Sequence, residues 1–169
     1  MDVERWVGMD LDLYIKLSAM MFLEFAIWGA WYPVLAARLL GPLKFSGKQT
    51  GWIYATIPLG CIFMPLLAGQ VADQWLNTEF ILAGSHLIGT LLLFIAAWKR
   101  KFGTLFTVML LYALFYAATL PLVNSLMFYH LAENNVDIGA KSPYIFMWAP
   151  IAWALAGYFL TGWRWIFKT

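Results

Sequence analysis

Apolar sequence extends from Leu13 to about Leu40, and near its middle stands one carboxyl group, Glu24. A helix of about 20 residues, rising about 1.5 Å per residue, crosses a hydrocarbon core of about 30 Å. The stretch is long enough to span a bilayer. An ionised side chain at that depth costs on the order of 3 kcal/mol or more. Trp28 and Trp31 follow Glu24 at i+4 and i+7, so the three share one helical face. A costly acid on an aromatic stripe predicts a face turned toward a bundle interior and away from lipid.

The rest of the chain repeats the apolar theme. Of its 169 residues, 63% are hydrophobic and 12% charged, whereas a soluble domain carries about 25% charge. Five hydrophobic segments are expected near 13–40, 50–72, 79–98, 104–129 and 143–166. Their backbones must be helical, because hydrocarbon offers an unpaired amide no partner, and barrel strands would alternate instead. The expectation is an all-α integral membrane protein with about five transmembrane helices, residues 1–169 making a single transmembrane domain. Before Leu13 the chain carries Asp2, Glu4, Asp10 and Asp12 against Arg5. That charge is wrong for a signal peptide, so the first segment is expected to remain as a spanning helix. The net charge of +2 is too small to imply nucleic acid. Cys61 is the lone cysteine, so no intrachain disulfide forms and the redox compartment is not readable.

Between the segments the breaks are short. Gly41-Pro-Leu-Lys-Phe-Ser-Gly-Lys-Gln49 has loop punctuation. Pro58 and Pro65 predict kinks or local unwinding in the second segment, and Gly51, Gly60 and Gly69 read as packing glycines. The break Asp73–Glu79 makes segments two and three antiparallel neighbours. His86 reads as a neutral imidazole bonded to a neighbouring helix. Asn124, beside Pro121, is either glue between helices or a substrate contact, and both readings stand. His130 to Ser142 reads as solvated, and Trp163 and Trp165 as an interfacial belt. No paired catalytic carboxylates, metal-spaced cluster or nucleophile motif suggests an enzyme, and no cofactor or metal is implied.

Basic residues are distributed unevenly. Arg5, Lys16 and Lys141 fall on the N-terminal side of the segments. Arg38, Lys44, Lys48, Lys99, Arg100, Lys101, Arg164 and Lys168 fall on the other. Taken alone, that count places the N-terminus outside the cytoplasm.

The run Phe22-Leu-Glu-Phe-Ala-Ile-Trp-Gly-Ala-Trp31 resembles the first helix of the nucleoside:proton symporters of the major facilitator superfamily. Phe45-Ser-Gly-Lys-Gln-Thr-Gly-Trp-Ile-Tyr-Ala55 is similar to the start of that family's second helix. Ala68-Gly-Gln-Val-Ala-Asp-Gln-Trp75 looks like the superfamily's loop between helices two and three. His86-Leu-Ile-Gly-Thr90, Thr119-Leu-Pro-Leu-Val-Asn124 and Asp137 follow in matching order. The resemblance implies an incomplete N-terminal six-helix bundle of a twelve-helix transporter, with a cytoplasmic N-terminus in the cell membrane. It implies that Glu24 lies beside the substrate path, where the family has Gln or Glu, that Trp28 and Asn124 belong to the family pattern, and that Asp73 serves a gating loop. The chain departs from the pattern at Phe146, where the family has Arg, at Ala149 and Ala152, where it has glycines, and at Gln74, where it has a basic residue.

The chemistry follows from these positions. Desolvation disfavours the charged form of a carboxyl, so Glu24 is suited to take up a proton on one side and release it on the other. The alternative is a neutral acid bonded to a neighbouring helix. Trp28 and Trp31 offer stacking faces for a nucleobase, or ordinary packing, and Asn124 can bond a ribose hydroxyl or base edge. The expected partners are the lipid bilayer, a nucleoside, a proton, and a missing C-terminal half or a second copy. The alternative function is a truncated, non-transporting remnant or membrane-embedded interaction partner, because alternating access needs one repeat moving against another.

Overall fold

The computed structural model describes residues 9–167, apart from the side chains of Thr161 and of residues 163–167. The acidic lead-in with Asp2, Glu4 and Arg5, the tryptophan belt of Trp163 and Trp165, and the charges of Arg164 and Lys168 lie outside what is described. Every regular element among the described residues is helical: α1 (Leu11–Leu40), α2 (Gly47–Tyr54), α3 (Thr56–Gln74), α4 (Thr78–Trp98), α5 (Phe102–Glu133), α6 (Ile138–Phe146) and α7 (Trp148–Phe167). Taken with their short interruptions, these make five stretches long and apolar enough to cross a membrane, which bears out the expected fold class.

Two of the five stretches are interrupted, each three residues before a proline. Ala55 separates α2 from α3, and Met147 separates α6 from α7. Pro58 and Pro150 have no N–H, so the carbonyls four residues earlier, on Tyr54 and Phe146, lose their helical donor. Both break residues keep right-handed helical angles, so each helix loosens without turning away. Beside the first break the Thr56 side chain bonds back onto its own helix, its Oγ1 donating to the Ile53 carbonyl at 2.7 Å. Pro65, by contrast, lies inside the unbroken α3.

Helix ends fall where capping chemistry allows. Segment two begins at Gly47, earlier than the hydropathy suggests, because Ser46 and Gln49 form a reciprocal capping box. The fourth segment continues past Tyr129 to Glu133. There Asn135 takes a left-handed conformation (φ 55°). Asn135 N–H donates to Ala132 at 3.0 Å and Val136 N–H to Leu131 at 2.9 Å. That is the Schellman pattern, and Leu131 and Val136 share one apolar cluster as it requires. Asp137 then caps α6, its Oδ1 accepting from Ala140 N–H at 3.1 Å. The solvated connection therefore shrinks to Asn134–Asp137, and the fifth segment starts ahead of Pro143.

The described residues divide into two compact units, one built from the chain up to Leu35 together with the chain from Met127, the other from Ala36–Leu126. In the first, Leu17 and Met21 of α1 pack with Met127 and Leu131 of α5 and with Ile145 and Ala149. In the second, Ala68 of α3, Leu82 of α4 and Ala118 and Leu122 of α5 form the apolar centre. Arg38, in the last turn of α1, closes this unit at one end. Its guanidinium donates to the carbonyls of Ala96 at 3.1 Å, Ala97 at 2.5 Å and Lys99 at 3.4 Å, capping the C-terminus of α4.

Gly60 sets the approach of α3 to α5: a Cβ there would lie 2.6 Å from the Ala113 carbonyl oxygen. That backbone has no room to yield. Gly60→Ala is expected to cost about 1–3 kcal/mol by overpacking, read as earlier unfolding in a denaturing-detergent titration; an unchanged midpoint would remove the close-approach argument.

Candidate functional site

The buried residues of α1 follow a helical stripe through Leu17, Met21, Glu24, Leu35 and Leu39. Steps of three, four and eleven residues, each close to a whole number of turns, keep one face inward. Glu24 is 2% exposed, the most enclosed acidic side chain among the described residues. It lies 13 residues from Leu11 and 16 from Leu40, which is about 20 Å of helix in either direction.

One turn further, the stripe becomes aromatic. Trp28 meets Tyr32 at a centroid distance of 5.5 Å and Trp153 of α7 at 5.4 Å, both edge to face. Tyr32 meets Trp153 at 6.1 Å, which closes a three-ring cluster, and Trp31 joins through Tyr32 at 5.4 Å. Such pairs contribute about 0.5–1.5 kcal/mol each beyond burial. The cluster exists because Gly29 lets α1 come close to α7: a Cβ on Gly29 would stand 3.1 Å from the Trp153 Cα and 3.3 Å from the Ala156 Cβ. All four rings are half-buried, so part of each remains accessible.

Tyr32 and Trp153 did not stand out in the sequence. The available signal was Gly29 in α1 and the small residues Ala149, Ala152 and Ala156 in the fifth span, which mark a close helix crossing. Phe146, at the departure from the family pattern, packs in the same unit with its ring 6.2 Å from Phe128.

The other candidate residues belong to the second unit. Asn124 lies in α5, three residues after Pro121, and is half-buried. Its Oδ1 is fully enclosed and accepts no hydrogen bond among the described residues. Buried acceptors are usually paired, so such an atom calls for an explanation. Asp73 lies in the last turn of α3, ahead of the connection to α4, and is exposed. The structure thus gathers Trp28 and Trp31 into one aromatic cluster on the helix that carries Glu24, and assigns Asn124 and Asp73 to the other unit.

A family model for the nucleoside H+ symporters matches residues 11–167. The chain belongs to that family. It is similar to the nucleoside permease NupG of Escherichia coli, 34% identical over 146 residues that cover 86% of this chain and 35% of the permease. The putative nucleoside transporter YegT of the same organism is 35% identical over 142 residues, covering 84% and 32% of the two chains. The xanthosine permease of Escherichia coli is 30% identical, covering 86% and 35%. A crystal structure of a NupG mutant superposes with a TM-score of 0.86 at 34% identity, covering 90% of this chain and 38% of that one. The family resemblance read from Phe22–Trp31 is thus borne out. The chain spans about a third of the length of these curated relatives.

The aromatic cluster gives a direct test of the α1–α7 crossing. Gly29→Leu should force the helices apart and weaken the near-ultraviolet circular dichroism of Trp28 and Trp153, with helical content retained. Trp75→Phe, at an exposed tryptophan outside the cluster, should change that signal far less.

Proposed function

We propose that the chain supplies the N-terminal bundle of a proton-coupled nucleoside transporter of the cell membrane, with Glu24 as the proton-coupling residue. The observation that carries this reading is the 2% exposure of Glu24 at mid-span. Ionisable groups at membrane depth are costly, and they typically mark ion and proton pathways. Family membership supports the transport class, and the permeases named above supply the substrate class. Alternating access needs one bundle to move against another, so the reading includes a second bundle, from further chain or from a second copy.

In this reading the half-buried rings of Trp28 and Trp31, with Tyr32 and Trp153, offer edges and faces to a nucleobase. In the other unit, Asn124 carries a carbonyl oxygen that can accept from a nucleoside hydroxyl or base N–H. The unpaired Oδ1 of Asn124 supports this role, because a substrate donor would complete its hydrogen bonding. Asp73, exposed at the end of α3, serves the gating connection between the second and third spans. Protonation of Glu24 removes a buried charge, and that change biases the alternation.

A complete carrier containing these residues with Glu24→Gln is expected to lose proton-driven accumulation of labelled uridine while retaining uridine exchange. Undiminished accumulation by that variant would remove Glu24 as the coupling residue. The reading also places the N-terminus in the cytoplasm. Cysteines introduced at Ser46 and Asn135, with Cys61→Ser, should then react with a membrane-impermeant maleimide from outside at position 46 only; labelling at 135 alone would invert the topology in favour of the basic-residue count.

A further inference from the structure

The cations of the second unit are gathered at one end of it. No acidic residue occurs between Arg38 and Asp73 or between Glu79 and Glu133. The connection between α1 and α2 carries Lys44, Lys48 follows at the start of α2, and the connection between α4 and α5 carries Lys99, Arg100 and Lys101. Two contacts fasten these connections together. Arg38 donates to carbonyls at the end of α4, including that of Lys99. Phe45, nearly fully buried, sets its ring 5.9 Å from that of Phe102, edge to face. The positive charges are therefore held on one face by a fixed scaffold.

The five remaining cations are not consumed internally. Arg38 is occupied as a cap, but Lys44, Lys48, Arg100 and Lys101 are exposed and Lys99 is half-exposed. None of the five has an ion-pair partner among the described residues. Lys44 is fixed in a left-handed conformation (φ 53°) within the turn that ends α1. Trp98, 74% exposed, directly precedes the second cluster, and Trp52, 50% exposed, follows the first. Tryptophans of this kind settle at the headgroup level of a bilayer. A compact group of unpaired cations at that level lies next to phosphate-bearing headgroups.

We propose that this face, formed by Lys44, Lys48, Lys99, Arg100 and Lys101, binds the headgroups of anionic phospholipids in preference to zwitterionic ones. The interaction is Coulombic and short in range, about 10 Å at 0.1 M salt. Each cation near an anionic surface contributes on the order of fivefold in binding. The five cations take no part in the transport reading, so the inference does not depend on it.

The test is lipid retention by the full chain in a non-ionic detergent. The protein is mixed with equal amounts of phosphatidylglycerol and phosphatidylcholine, and bound lipid is counted by native mass spectrometry. The wild-type chain is expected to retain phosphatidylglycerol preferentially. K44Q/K48Q and K99Q/R100Q/K101Q should each reduce that preference, on the order of fivefold per charge removed. The charge-preserving K44R/K48R should keep it, which separates charge from folding, and Lys16→Gln, at the opposite end of α1, should leave it unchanged. Equal retention of the two lipids by wild type, or a preference that survives both neutral sets, would overturn the proposal.

Discussion

In hydrocarbon, every backbone carbonyl and amide must find its partner within the protein, and the structure is organised by how that requirement is met. Apolar stretches become helices because a helix satisfies its own backbone. Prolines then decide where the pattern gives. Pro58 and Pro150 each deprive a carbonyl of its donor, and each is preceded by a one-residue interruption, at Ala55 and Met147. At helix ends, where orphan groups accumulate, side chains take over. Ser46 with Gln49, Asn135, Asp137 and the guanidinium of Arg38 are all placed to satisfy backbone. Arg38 is the clearest case: a charge that a topology count treats as a surface feature serves as the cap of another helix.

The same economy of backbone contact shapes the candidate site. Gly29 and Gly60 are positions where two helices come too close for a side chain, and each has a consequence. Gly60 brings α3 against the backbone of α5. Gly29 brings α1 against α7, and that crossing assembles Trp28, Tyr32 and Trp153 into one cluster. The buried acid and the aromatic cluster therefore share a helix. One turn of α1 separates Glu24 from Trp28.

Charge is segregated in the same way. Acidic groups gather near the N-terminal end of α1 and around the Asn134–Asp137 connection, where Asp12 pairs with Lys16 at 2.6 Å and Glu133 approaches His130 at 3.6 Å. The connections between α1 and α2 and between α4 and α5 carry cations without acids. Exposed pairs of this kind contribute little to stability. Their importance lies in the asymmetry they leave, an unbalanced basic face beside exposed tryptophans.

Much of this was legible in the sequence. The five apolar stretches, their helical nature, the family resemblance and the singular position of Glu24 follow from hydropathy, the chemistry of hydrocarbon and a few motifs. The capping box of Ser46 and Gln49 reads in the sequence as part of a loop, because hydropathy is blind to polar capping residues. What sequence could not decide is which side chains face protein and which face lipid, since lipid tails are as apolar as a core. The α4 span is 22% buried over its most apolar stretch and α5 is 50% buried, although both read as uniformly apolar. Tyr32 and Trp153 were invisible for the same reason, being two aromatics among many until a helix crossing joined them. The sequence determined that these segments must be helices in a membrane, because backbone satisfaction is local. Tertiary structure decided the aromatic cluster, the Arg38 cap and the basic face, because each depends on helices distant in sequence approaching at a particular residue.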